Sequence, residues 1–118
     1  MNTYDIHIVQ GETFELPIRW YTDSTKATLR DLSSHLARCQ VRKTALSDEK
    51  VLDFAETGDI GLTNGSASAN ITLSLSASET AALPAPFKGV YELELQNSIG
   101  GVTKVLRGKF IVEPEVVR

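Results

Sequence analysis

Chemistry in this chain would have to come from few residues: two histidines, His7 and His35, one cysteine, Cys39, and the acids Glu92 and Glu94. A serine nucleophile needs a base within hydrogen-bond reach and a strained turn that presents its hydroxyl. His35 stands beside Ser33 and Ser34, yet no Gly-x-Ser-x-Gly elbow surrounds any serine, and His7 falls on the polar side of a terminal strand. Cys39 sits between Ala37 and Val41 in an alternating run, where a small buried hydrophobe is expected and a thiolate is not. Cys39 and the histidines have no metal-ligand spacing. Gly100-Gly101 precedes a strand and lacks a following Lys-Ser/Thr, so it reads as a turn and not as a phosphate loop. Glu92 and Glu94 share one strand face. Paired carboxylates can cleave glycosides, but at this spacing they read as a solvated face whose partners are Lys104 and Arg107 on the next strand. Trp20 falls on an apolar face and reads as core, whereas Tyr21 alternates outward. No catalytic, metal or cofactor-binding residue is expected.

These residues ride on strands. The clearest signal is near the end, where Val90-Tyr91-Glu92-Leu93-Glu94-Leu95 and Val102–Val112 flank the turn Asn97-Ser98-Ile99-Gly100-Gly101, the chemistry of a β-hairpin. Tyr91, Leu93 and Leu95 share one face; Glu92, Glu94 and Gln96 share the other. Leu106, Phe110 and Val112 face one way with Gly108 between them, and Val105 and Ile111 face the other way. Upstream, Tyr4, Ile6 and Ile8 alternate in a first strand. Phe14, Leu16, Ile18 and Trp20 alternate in a second, where Pro17 demands a sheet edge or a bulge. Residues 22–34 form a long polar loop pinned by Leu29 and Leu32. Ala37, Cys39 and Val41 face inward near Trp20, and Arg38, Gln40 and Arg42 face outward. Val51–Phe54 reads as their hairpin partner, Ile60–Leu62 as a short strand, Asn64-Gly65 as a turn, and Ile71, Leu73 and Leu75 as the inward side of another strand. Ser76 and Glu79 form a capping box that opens a helix over residues 77–83, stopped by Pro84 and Pro86.

The chain has 118 residues, 42% of them hydrophobic, and a net charge of −3. That is one domain, residues 1–118, with enough apolar surface for a core. No basic stripe is present, so nucleic-acid binding is not expected. A single cysteine permits no internal disulfide and favours folding in a reducing compartment. The N-terminus lacks the features of a signal peptide and no run approaches a membrane span, so a soluble protein made in a cytoplasm is expected, with no membrane partner.

Taken together, several segments resemble a known family. They are Gln10-Gly11-Glu12-Thr13-Phe14, Asp31-Leu32-Ser33 ahead of a strand ending in Arg42, and Ile71–Leu83 leading into Gly89-Val90-Tyr91-Glu92-Leu93-Glu94-Leu95. The closing segment Leu106-Arg107-Gly108-Lys109-Phe110-Ile111-Val112-Glu113-Pro114-Glu115-Val116-Val117-Arg118 completes the pattern. This resembles small structural proteins of tailed bacteriophages and prophages, and the immunoglobulin-like modules of phage tails and baseplates. Two positions depart from that pattern: Glu92 stands where the family tends to have Asp, and Val117 where it tends to have Thr.

The expectation is an all-β, immunoglobulin-like sandwich of seven or eight antiparallel strands with one short helix over residues 77–83. The resemblance implies a non-enzymatic virion protein of the tail, neck or baseplate, synthesised in the host bacterial cytoplasm. Its partners would be other virion proteins, with multiple copies or a homo-oligomer on a symmetric particle. A carbohydrate- or receptor-binding module using Tyr21 and the 22–34 loop is the alternative, and a capsid decoration protein a third reading. The candidate interface comprises Tyr21, Glu92, Glu94, Lys104 and Arg107, together with Pro114, Val116, Val117 and Arg118 of an extended tail over residues 114–118. Pro114 ends ladder pairing there, which frees the tail for strand addition to a neighbour.

Overall fold

A computed structural model describes residues 2–22, 28–65 and 69–117. Among them are nine strands and one helix: β1 (Asn2–Thr3), β2 (Ile6–Val9), β3 (Phe14–Ile18), β4 (Leu36–Arg42), β5 (Leu52–Asp53), β6 (Asp59–Leu62), β7 (Ile71–Leu75), α1 (Ala77–Ala81), β8 (Phe87–Gln96) and β9 (Val102–Glu113). They form two sheets. The larger is six-stranded, in the order β1-β9-β8-β4-β5 with β2 also on β9; the smaller is three-stranded, in the order β3-β7-β6. The fold is an immunoglobulin-like sandwich, with the apolar sides of both sheets turned toward each other.

Alternation along the strands builds the core. Ile6 and Ile8 from β2, Cys39 and Val41 from β4, and Tyr91, Leu93 and Leu95 from β8 are all buried. Facing them, Ile71, Leu73 and Leu75 of β7 are buried, while Phe14, Leu16, Ile18, Ile60 and Leu62 of its two edge neighbours are partly covered. With a single cysteine there is no inter-sheet disulfide. Aromatic rings cross the gap instead: Phe14–Phe54, Phe54–Phe110 and Phe110–Tyr91 each have centroids 6.4 Å apart, an edge or tilted geometry that suits the ring quadrupoles.

Pro17 lies on β3, an edge strand, opposite Thr72, as its missing N–H requires. The hairpin turn also follows the sequence reading. The Asn97 Oδ1 accepts N–H bonds from Ile99 (3.1 Å) and Gly101 (2.8 Å), and Gly100 supplies the positive φ of 90°.

Four details differ from the sequence reading. The sheets are not wholly antiparallel: β1 and β2 run parallel to β9, with Ile6 opposite Phe110. The chain leaves β2 by a turn into the other sheet, so this strand has no hairpin partner and docks on the last strand instead. The count is nine because the first strand is broken at Tyr4–Asp5; β5 is shorter than read, only two residues long. The helix ends at Ala81, with Ala82 as its C-cap, although the Ser76–Glu79 capping box is present as read. Finally, Val105 does not face outward. A bulge after Leu93 inserts it between Lys104 and Leu106, so Val105 and Leu106 are both buried.

The break at Tyr4–Asp5 has a visible cause. A Cβ on Gly108 would run into the backbone carbonyl of Tyr4, so only glycine lets the first strand pass this closely. The same carbonyl accepts the buried Tyr91 hydroxyl at 2.6 Å, and the Asp5 carboxylate accepts the Lys109 N–H at 3.0 Å. The N-terminal strands are thus fastened to the closing hairpin.

Candidate functional site

The outer side of the larger sheet is where the polar halves of four strands meet. Register places side chains in rows across it. Leu36, Gln96 and Val102 form one row, Arg38, Glu94 and Lys104 the next, then Gln40, Glu92 and Arg107, then Arg42, Val90 and Lys109. This face is indented between the three central strands and the N-terminal segment. It encloses a cavity of about 450 Å³ lined by charged side chains from β4, β8 and β9 and by Thr3 and Asp5.

An ion-pair lattice occupies the middle of the face. Lys104 Nζ reaches Glu92 at 3.0 Å and also pairs with Glu94, while the Arg38 guanidinium closes on Glu94 at 2.8 Å. The Lys104 ammonium beside it holds the Glu94 carboxyl below its usual range, and Glu94 in turn raises Lys104. Pairs this exposed contribute little stability each, so their main effect is to hold the side chains in one arrangement. Toward β1 the balance shifts to positive. Among the described residues no carboxylate lies within ion-pair distance of Arg42, Arg107 or Lys109. Arg42 instead donates to the carbonyls of Ser47 (3.0 Å) and Asp48 (2.7 Å) and so ties down the loop between β4 and β5. At the opposite end, Leu36 and Val102 are 68% and 54% exposed, a small apolar border.

The residues singled out from sequence divide between this face and other places. Glu92, Glu94, Lys104 and Arg107 all lie on it. Lys104 meets both acids, whereas Arg107, directly opposite Glu92 in register, pairs with neither. Tyr21 does not line the cavity. It continues β3 of the other sheet, is half-buried rather than exposed, and bridges to Leu29 while its carbonyl accepts from Arg30 Nε at 3.0 Å. The bridge brings Leu29 beside Tyr21, a pairing between segments that alternation along one strand does not reveal. Residues 23–27 of the loop assigned with Tyr21, and Arg118, lie outside the described residues. Pro114 is exposed and β9 ends beside it; Val116 and Val117 are 90% and 87% exposed. The start of this tail is anchored, because Glu115 donates its N–H to Gln10 Oε1 at 3.2 Å.

Sequence reading missed Arg38, Arg42 and Lys109 as members of the face. The signal was present, since all three alternate outward, but it takes the strand register to bring them beside Glu94 and Arg107. It also missed Asn70, which lies between the Asn64-Gly65 turn and the strand that begins at Ile71. Asn70 is fully buried: its amide nitrogen donates to the carbonyls of Trp20 (2.8 Å) and Arg30 (3.1 Å), and its oxygen accepts the Trp20 N–H (2.8 Å). Trp20 itself is only partly buried and packs at the core's margin, with the Arg30 guanidinium 4.4 Å above its ring.

The expected nucleophiles and bases do not converge. Cys39 is fully buried, and desolvation pushes its thiol up to about 12. His7 is exposed on β2. His35 borders a second, smaller cavity of about 320 Å³ beside Phe54, Asp59 and Ile60, with its Nδ1 buried and unpartnered among the described residues.

No protein-family model matches the chain, and no curated protein matches it. Solved structures do. The chain is similar to the extracellular domain of the voltage-gated sodium channel beta4 subunit, solved as parallel homodimers, at 13% identity over 98% of this chain and 95% of that one, with a TM-score of 0.51. Murine CRIg follows at 8% identity, covering 94% and 92% of the two chains, with a TM-score of 0.40. Extracellular domains 3–5 of Drosophila OTK share 18% identity over 93% of this chain and 32% of that one, with a TM-score of 0.36. At such identities the likeness to the first of these is one of fold.

Proposed function

We propose that this protein is a non-catalytic interaction module whose working surface is the outer face of the larger sheet, and that it serves as a structural component of a tailed-phage particle. The observation that carries the first part is the concave face itself. A cavity of about 450 Å³ has an ion-pair lattice at its centre and Arg42, Arg107 and Lys109 without carboxylate partners among the described residues. Cations that are not neutralised suit an acidic protein surface, because complementary charge sets register and speeds encounter. The similar sodium-channel domain, which forms parallel homodimers and is linked to cell–cell adhesion, supports the use of this fold for protein–protein contact. The particle assignment rests on the sequence resemblance over Ile71–Leu83, Gly89–Leu95 and Leu106–Arg118. Within it, the exposed Val116 and Val117 form a second contact, a tail lent to a neighbouring subunit.

The test is incorporation. The purified particle should contain this chain in multiple copies by mass spectrometry. An Arg107→Glu/Lys109→Glu variant should fold normally and yet be lost from particles. A variant incorporated as well as the parent chain would exclude the face as the docking surface, and absence of the chain from particles would exclude the structural role.

A further inference from the structure

We propose that copies of this chain associate front to back, the outer face of the small sheet of one copy seating on the basic side of the large sheet of the next. The inference rests on the reading of the large-sheet face as an interface and names its occupant. Two rows of side chains carry it. On the large sheet, Arg42, Val90 and Lys109 lie side by side across β4, β8 and β9, a cation at each end of a small apolar residue. On the small sheet, Glu15, Ser74 and Asp59 lie side by side across β3, β7 and β6, a carboxylate at each end of a small polar residue. Each row spans two strand spacings, so the backbone positions of its two end residues stand about 10 Å apart in both.

Neither row is internally neutralised. Glu15 and Asp59 are exposed and, like the three cations, have no ion-pair partner among the described residues. Arg19 follows β3 beyond this row and has interactions of its own. The neighbouring row of the small sheet is Pro17, Thr72 and Gly61, which leaves that face low and able to enter a concavity. A front-to-front dimer would instead set like charges against each other, which is unfavourable. A front-to-back contact is heterologous, so repetition builds a ring when the rotation closes and a filament when it does not.

The experiment is sedimentation velocity on the full chain at 50 mM and 500 mM NaCl, with two charge-reversed variants. Arg107→Glu/Lys109→Glu reverses the front and spares Arg42, which holds the β4–β5 loop. Glu15→Lys/Asp59→Lys reverses the back. The parent chain should form species larger than a dimer at 50 mM NaCl that dissociate at 500 mM. Each variant alone should be monomeric, with a far-ultraviolet spectrum and melting curve like the parent's, and an equimolar mixture of the two should assemble again. A monomeric parent chain at 50 mM NaCl and millimolar concentration overturns the proposal. So does self-association of either variant. If the parent chain is monomeric while Arg107→Glu/Lys109→Glu is still lost from particles, the front-to-back contact falls and the docking face stands.

Discussion

Asn70 does the work of a turn that the loop sequence around it cannot supply. One buried amide satisfies the Trp20 N–H and the carbonyls of Trp20 and Arg30, so it joins the end of β3 to the returning loop and to the start of β7. Asn70→Ala would take the partner from the Trp20 N–H and the Arg30 carbonyl, while the Trp20 carbonyl keeps the Arg30 N–H at 3.0 Å, and buried unsatisfied groups are costly. We expect a loss of about 2–3 kcal/mol, measured as a shift in the urea midpoint with the slope unchanged. Glu94 offers a different handle. Lys104 lowers its carboxyl in the folded chain, so Glu94 binds its proton less readily there than in the unfolded chain. Its contribution to stability is therefore complete above the ordinary glutamate value of about 4.3 and is lost as pH falls through the lower folded value. The Tm should decline with acidification below pH ~4.3, and Glu94→Gln should flatten that part of the decline.

At the scale of elements, the closing hairpin and the strands docked on it hold the larger sheet together. Gly108 admits the first strand, Tyr91 bonds to it, and Gln10 reaches both the carbonyl of Leu83 (2.8 Å) and the N–H of Glu115. Thr80 locks the helix to the β2–β3 turn by accepting the Gly11 N–H (3.1 Å) and donating to the Glu12 carbonyl (2.9 Å). Beyond Glu115 the tail touches little: Val116 and Val117 are exposed. Deleting residues 116–118 should therefore change unfolding free energy by no more than about 0.5 kcal/mol, as for other surface changes. Deletion from Glu113 onward should cost more, because Gln10 would lose the Glu113 carbonyl that accepts its N–H at 3.0 Å. Thermal melts of the two truncations side by side separate the tail from the fold.

Across the whole molecule, stability depends on pairing the two ends of the chain. Ile6 lies opposite Phe110, and the Lys109 N–H meets the Asp5 carboxylate across a separation of 104 residues. Contacts this distant must close large loops before they stabilise anything, so refolding should be slow for the domain's size. We expect it to take milliseconds to seconds in stopped-flow fluorescence, with Trp20 as the probe. A submillisecond single phase would mean that the β2–β9 pairing is not part of the rate-limiting step. The same architecture leaves two outward faces of different character: among the described residues, Arg42, Arg107 and Lys109 on the larger sheet have no ion-pair partner, nor have Glu15 and Asp59 on the smaller. A molecule that carries both is equipped to repeat along an assembly.

What the sequence determined by itself was the alternation. It named the inward sides of β2, β4, β7 and β8, confined Pro17 to an edge or a bulge, found the capping box and the Asn97–Gly101 turn, and predicted a buried Cys39, because each of these depends on residues close together in the chain. It also set Glu92, Glu94, Lys104 and Arg107 on facing strands. Lys104 meets Glu94 because of the bulge at Val105, a displacement of one residue that brings the two level; Arg107 stands opposite Glu92 on the other side of the bulge. Tertiary structure alone decided that β1 and β2 run parallel to β9, that Asn70 is buried, that Tyr21 is half-covered, and that Arg38, Arg42 and Lys109 join the same face. Each of these depends on pairings between segments tens of residues apart. Local periodicity carries no information about such partners, since a period of two fixes which side of a strand is wet and not which strand lies beside it.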